Sequence, residues 1–152
     1  MDVSMVFMII FAVVVVGLVL TVGVGQITNI FCYASDAQAA KALKSLESES
    51  DNLYVLAEGS GKRFDLGIPA DAEFCFVNPS SPGANIIKGW NPDPVVVSMI
   101  TESRYNIWYR HCSGQNGYKI AYLLPSQNFC VRSGSDVYLE NRGTHVDVTG
   151  FV

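Results

Sequence analysis

The feature that most constrains this chain is a stretch of thirty-three residues, Val3–Ser35, without one charged side chain. Its centre, Met5–Val24, is almost wholly apolar. Because a helix rises 1.5 Å per residue, about 20 such residues span the ~30 Å hydrocarbon layer of a bilayer. Inside lipid, a single segment can satisfy its backbone hydrogen bonds only as a helix. We therefore predict a membrane-embedded helix over about residues 4–28; a buried core helix is the alternative.

A cleaved signal peptide is a second interpretation of this stretch. The stretch has no basic region before it, and its apolar run is longer than the usual run of about 7–15 residues. The small-residue sequence Cys32–Tyr33–Ala34 is only a weak cleavage site. The sequence therefore favours a retained anchor.

Small residues recur along one face of the predicted helix. Gly17, Thr21 and Gly25 are four residues apart, a spacing that lets helix backbones approach closely in membranes. The alternative is that glycine and threonine are simply common in membrane spans. The spacing predicts that copies of the chain associate through this face.

The helix is expected to continue beyond the apolar stretch. Residues 36–48 are rich in Ala, Leu, Lys and Glu, which are strong helix formers. Ala39, Leu43 and Leu46 fall at i, i+4 and i+7 and form a narrow apolar stripe. We predict an N-terminal helix over residues 1–51, with this stripe as a second, water-exposed surface for self-association.

From residue 52 onward, apolar residues alternate with polar ones and turn residues separate the segments. The pattern predicts a mainly β domain over residues 52–152, folded as a small antiparallel β-sandwich. A segment over residues 94–102 is open between helix and strand, because Asp93–Pro94 resembles a helix start whereas Val95–Val97 favours a strand. The predicted strands are Leu53–Ala57, Arg63–Ile68, Glu73–Val77, Tyr105–Tyr109, Tyr118–Leu123, Asn128–Arg132, Val137–Glu140 and His145–Val148.

Two segments of this domain, residues 52–77 and 106–132, repeat the same order of strand, turn, strand, proline turn and strand. The repetition predicts two stacked three-stranded meanders, and coincidence between strand-rich stretches is the alternative. Cys75 and Cys130 occupy equivalent places 55 residues apart, so facing strands would bring their sulfurs together in a disulfide. Buried free thiols are the alternative, and Cys32 and Cys112 are left as candidates for free thiols.

The sequence offers no constellation for catalysis. It contains no GxSxG, HExxH, P-loop or GxGxxG motif, and His111–Cys112 lacks the further ligands of a zinc site.

A net charge of −4 argues against a nucleic-acid partner, since phosphate binding needs a basic surface. Tyrosines and tryptophans are numerous and predict core packing, with an aromatic ligand surface as the alternative. We expect no enzyme activity, no metal, no cofactor and no small-molecule substrate.

An uncharged N-terminal helix that continues into an amphipathic half and a compact β domain resembles archaeal type IV pilin-like subunits. The resemblance lies in the layout of the whole chain. It implies a structural subunit of a surface filament or cell envelope that self-associates through its helix. A single-pass anchored binding module outside the cytoplasm is the alternative. Lys41 and Lys44 favour a cytoplasmic domain by the positive-inside rule, but the four cysteines favour an extracytoplasmic one, which we predict.

Overall fold

The computed structural model describes residues 3–84, 89–112 and 114–150, and at positions 3, 24, 25 and 27–29 it describes the backbone only. The chain consists of two compact units, Met1–Ala34 and Ser35–Val152. The elements in chain order are α1 Val3–Tyr54, β1 Gly61–Asp65, β2 Glu73–Phe76, α2 Pro94–Ser103, β3 Ile107–His111, β4 Gly114–Tyr118, β5 Phe129–Arg132, β6 Asp136–Asn141 and β7 Val146–Gly150.

The strands of the second unit form two antiparallel sheets. One sheet has the strand order β1-β6-β7 and the other has the order β4-β3-β2-β5. The predicted fold class, an N-terminal apolar helix followed by an antiparallel β domain, is confirmed. The two sheets contribute to one hydrophobic core, as in a small sandwich, with Phe74 and Phe76 from one sheet and Val137 and Leu139 from the other.

The C-terminal part of α1 belongs to this core. Leu43 and Leu46 are buried in the same cluster as the inner residues of both sheets. Polar contacts connect this segment to the edge strand of each sheet: the Tyr118 hydroxyl of β4 donates to Glu47 at 3.1 Å. Lys62 of β1 donates to Glu49 at 2.7 Å. The helix therefore packs against both sheets, and the β domain has a helical component that the sequence did not predict.

Helix α1 ends at Tyr54, beyond the predicted end at residue 51, and the strand predicted over Leu53–Ala57 is wrong. Leu53 is buried in the core, which keeps this turn of helix in place. Asn141 Nδ2 lies within hydrogen-bond distance of the carbonyl oxygens of Leu53, Tyr54 and Leu56. Because the last carbonyl groups of a helix have no partners within it, this side chain supplies the partners where the helix stops.

The open segment after Asp93 is helix α2. The Asp93 carboxylate accepts hydrogen bonds from the backbone N–H groups of Val95 and Val96, and proline occupies the first turn. This cap outweighs the strand preference of the valines. Val96 and Ile100 are buried in a second cluster with Cys75, Trp90 and Trp108.

The predicted internal duplication does not appear in the strand pairing. In the first segment, β1 belongs to the three-stranded sheet and β2 to the four-stranded sheet. In the second segment, β3, β4 and β5 all belong to the four-stranded sheet. Strand β4, Gly114–Tyr118, lies before the strand predicted over Tyr118–Leu123 and shares only Tyr118 with it. Similar local patterns therefore pair with different partners, because pairing depends on segments far away in sequence.

Candidate functional site

The first unit contains the most exposed apolar surface among the described residues. The segment Ser4–Gly23 is long and apolar enough to cross a membrane, and none of it is buried within the chain. Its large side chains, such as Phe7 and Phe11, are exposed. In water, an apolar surface of this extent is unfavourable, so the segment requires a lipid or protein environment.

The proposed packing face is open at the positions that the structure describes. A Cβ atom added at Gly17 would meet no other atom within 4 Å. The Thr21 hydroxyl lies 3.0 Å from the carbonyl oxygens of Gly17 and Leu18, so the helix itself satisfies its donor. The surroundings of Gly25 lie outside the described residues. A second helix could therefore approach Gly17 closely without leaving the threonine hydroxyl unbonded.

A second glycine lies on another face of the same helix. Leu18, Val19, Val22, Gly23 and Gln26 line a shallow groove of about 620 Å³. Six residues separate Gly17 from Gly23, which places the two glycines on different sides of an ideal helix. The apolar segment therefore has two candidate faces, and substitutions can distinguish them.

The predicted packing role of Ala39, Leu43 and Leu46 is wrong. Leu46 has 0% relative exposure, and the other two residues are also buried. All three pack in the core of their own domain. The three residues do form an apolar stripe, but the two sheets of the same chain cover it. The stripe is therefore not available to pack against another copy.

Cys75 and Cys130 form a disulfide with an S–S distance of 2.05 Å, as predicted from their equivalent places in the two similar segments of the sequence. The predicted reason is wrong: the two cysteines do not face each other across the sandwich. They lie directly opposite each other on the adjacent strands β2 and β5 of one sheet. Neighbouring residues on paired antiparallel strands are close enough for such a bond.

Cys32 and Cys112 are also disulfide-bonded, and the described residues contain no free cysteine. The expectation that these two cysteines are free thiols is therefore wrong. A chain whose cysteines are all oxidised is typical of an oxidising compartment, outside the cytoplasm.

A charged cleft of about 390 Å³ lies at the end of the four-stranded sheet. Glu73, on the central strand β2, pairs with Arg110 at 3.3 Å and with Arg132 at 3.0 Å. His111 pairs with Asp36 at the rim of this region. These contacts join charges to each other and bring no nucleophile to a base. They are typical of structural ion pairs.

One geometric group could suggest a metal: Glu73 lies close to Cys75 and Cys130. A cysteine binds metal as a thiolate. Both sulfurs are bonded to each other here, so the group has no thiolate to offer.

Sequence reasoning missed one exposed surface of the β domain. The rings of Tyr54 and Tyr122 are stacked with centroids 3.8 Å apart, next to the exposed Val55 and Leu56. The sequence signal for it is the number of tyrosines and tryptophans, for which an aromatic ligand surface is the alternative to core packing. By contrast, Trp90 and Trp108 are buried, in agreement with their predicted core role.

Comparison of the chain with protein-family models, with curated proteins and with solved structures finds no match.

Proposed function

We propose that this chain is a structural subunit, similar to archaeal type IV pilins, that builds a surface filament or envelope layer by association of its N-terminal helices. The observation that supports the proposal is the contrast between the two parts of α1. The apolar part is wholly exposed, whereas the amphipathic part is buried in the domain core. Of these two parts of α1, only the apolar one has its described apolar side chains free to join copies, and Gly17 provides a place for close approach.

Retention of the apolar part is consistent with the disulfides. Cys32, which lies in the segment that cleavage at the weak site would remove, is disulfide-bonded. Ser35, next to that site, is buried and donates to Asp71 at 2.6 Å. Both features support a helix that stays attached and a domain that is exported from the cytoplasm.

The test is the size of the full-length protein in mild detergent. We expect the double substitution Gly17→Leu and Gly25→Leu to reduce assemblies to monomers, because leucine side chains hold the backbones apart. A Cβ atom added at Gly17 meets nothing within 4 Å, and both glycines lie outside the β domain, so we expect that domain to stay folded.

Gly23→Leu is the matched control. It adds the same side chain to the same helix on a different face, and we expect it to leave assembly unchanged. Normal assembly of the double variant would contradict the proposal. Loss of assembly only in the control would place the association face at the Gly23 groove.

The second candidate function is a monomeric anchored binding module outside the cytoplasm. The exposed Tyr122 ring, which stacks on the half-buried Tyr54, favours this alternative, because aromatic side chains are enriched at protein interfaces. A full-length protein that is monomeric in detergent at all concentrations would favour it over the filament subunit.

A further inference from the structure

The disulfide between Cys75 and Cys130 lies next to a carboxylate. An oxygen of Glu73 and the two sulfurs all lie within 4.8 Å of one another. Glu73 and Cys75 are two residues apart on β2, so their side chains are on the same face of the sheet, and Cys130 lies opposite Cys75 on β5. The backbone pairing of β2 with β5 therefore brings these side chains together whether or not the sulfurs are bonded.

Reduction changes the chemistry of this group. Each cysteine enters a new chain as a thiol, and a disulfide forms later, when two electrons and two protons pass to an oxidant. Before that step, the same three side chains offer two sulfurs and a carboxylate oxygen. Thiolate sulfur and carboxylate oxygen are both ligands of zinc, and a site with three protein ligands leaves the fourth position of the ion to water.

Two arginines hold the carboxylate in place. The side chain of Glu73 is only 15% exposed, and its two oxygens pair with Arg110 at 3.3 Å and with Arg132 at 3.0 Å. Because each carboxylate oxygen has more than one lone pair, Glu73 can keep these hydrogen bonds and still bind an ion. Groups that hydrogen-bond a metal ligand in this way fix its orientation and strengthen the site.

The reduced group attracts a cation and is accessible to it. Two thiolates and the Glu73 carboxylate carry three negative charges and the two arginines carry two positive charges, so the sum is −1. Cys130 is only partly buried, and Glu73 lines the charged cleft of about 390 Å³. A divalent cation therefore has a favourable electrostatic interaction with the group and a path to its ligands.

We propose that the reduced chain binds a divalent ion of the zinc type through Glu73, Cys75 and Cys130, and that the disulfide replaces this ion on oxidation. The two states exclude each other, because a sulfur in a disulfide offers no thiolate. The ion holds β2 and β5 together in the new chain before it reaches an oxidising compartment. The site lies within one chain, so it does not depend on the proposed assembly.

The first test titrates cobalt, a spectroscopic substitute for zinc, into the full-length protein in mild detergent without oxygen. After reduction with a phosphine, we expect the ultraviolet charge-transfer band of a cobalt–thiolate bond, and added zinc should remove the band by displacing cobalt. The oxidised protein is the control and should give no band. Absence of the band from the reduced, folded protein would overturn the proposal, and so would an equal band from the oxidised protein.

Substitutions assign the band to its ligands. Cys130→Ser should remove it, and Glu73→Gln should weaken cobalt binding by at least about tenfold, the smallest loss that is usual for groups around a metal. Glu140→Gln is the matched control: it also takes a carboxylate away from an arginine, Arg142 at 3.2 Å, and we expect it to leave the affinity unchanged.

Two outcomes of these substitutions would contradict the assigned ligands. A band that survives Cys130→Ser would place the ion on other thiols of the chain. Equal cobalt affinity of Glu73→Gln and Glu140→Gln would show that the Glu73 carboxylate is not a ligand. Either result would overturn the proposal.

Reduction also removes the stabilisation that the disulfide supplies, so folding is followed in every sample by the fluorescence of the buried Trp90 and Trp108. Binding of an ion to the folded state adds to its stability. If the reduced chain is unfolded without metal, we expect zinc to restore the fluorescence of the folded domain in the wild type and not in Cys130→Ser. A reduced chain that stays unfolded in zinc would overturn the proposal.

The second test measures how fast the disulfide forms. Diamide oxidises two thiols to a disulfide, and its azo group takes up the two electrons and two protons. With zinc at about 100 times its dissociation constant, about 1% of the sites are empty, so we expect oxidation of Cys75 and Cys130 to slow by about 100-fold. Peptide mapping after alkylation follows each cysteine separately, and Cys32 and Cys112 are the internal control. Equal rates at Cys75 and Cys130 with and without zinc would overturn the proposal.

Discussion

Asn141 Nδ2 donates a hydrogen bond at 3.0 Å to the carbonyl oxygen of Leu53, although 88 residues separate them in sequence. The same amide group also contacts the carbonyl oxygens of Tyr54 and Leu56, and its Oδ1 accepts from the Gly143 N–H at 2.7 Å. One buried side chain on the last residue of β6 thus ends helix α1 and shapes the turn that follows β6.

We expect Asn141→Asp to destabilise the β domain by about 2–4 kcal/mol. The change keeps the side-chain shape but removes both donor hydrogens and places a carboxylate against carbonyl oxygens. Denaturant unfolding followed by Trp fluorescence measures the effect, because Trp90 and Trp108 are both buried. Asn116→Asp, at an exposed strand position, is the matched control and should cost less than about 0.5 kcal/mol. Equal effects of the two substitutions would contradict the capping role.

The disulfide between Cys75 and Cys130 should stabilise the domain by about 4 kcal/mol in the chain-entropy model, since it closes a loop of 55 residues. The double substitution Cys75→Ala and Cys130→Ala is expected to lower the free energy of unfolding by that amount. Peptide mapping without reduction should recover the Cys75 and Cys130 peptides joined to each other. A different partner for Cys75 would show that the strand register of β2 and β5 is wrong.

Ser50 offers a substitution that should stabilise the protein. It is fully buried in α1, and its hydroxyl has no hydrogen-bond partner among the described residues. An unsatisfied buried polar group is unfavourable, so Ser50→Ala is expected to raise the free energy of unfolding by about 1–2 kcal/mol. Ser48→Ala, exposed in the same helix, isolates the gain from helix propensity, at most about 0.5 kcal/mol. A loss of stability in Ser50→Ala would show that its hydroxyl is bonded.

Tyr118 should make stability depend on alkaline pH. Burial raises the pKa of its hydroxyl above the usual 10.0, and the hydrogen bond to Glu47 and the charge of Glu47 raise it further. Since the folded pKa exceeds the unfolded one, the contribution is complete below pH 10 and is lost as pH rises through the folded pKa.

We therefore expect the free energy of unfolding to fall less steeply above pH 10 in Tyr118→Phe than in the wild type. Glu47→Gln should lower the pKa of Tyr118, measured by ultraviolet absorbance during titration. Identical pH profiles of wild type and Tyr118→Phe would contradict the contact between α1 and β4.

The position of the β domain relative to the membrane can be tested on intact cells. The disulfides indicate an oxidising compartment, so protease added outside should digest the domain from Ser35 onward. A cytoplasmic marker protein must stay intact in the same sample. Complete protection of the domain would place it inside, as the positive charges of Lys41 and Lys44 alone would suggest.

Local composition was enough to determine several features of this protein. An uncharged stretch such as Val3–Ser35 specifies a membrane-length helix, because its apolar character follows from the residues themselves. The alternation after Arg63 specifies strands, and Asp93–Pro94 marks the helix start that the structure contains. These properties depend on neighbours within a few residues, which the sequence displays directly.

Only the tertiary structure decided what covers each apolar face and which strands pair. The stripe of Leu43 and Leu46 has the same spacing whether another copy or the chain's own sheets bury it, and the sheets do. Cys75 and Cys130 meet because β2 and β5 are adjacent, a pairing that similar local patterns did not specify. An amphipathic pattern states which side of a segment avoids water, whereas its partner is selected by the packing of the whole domain.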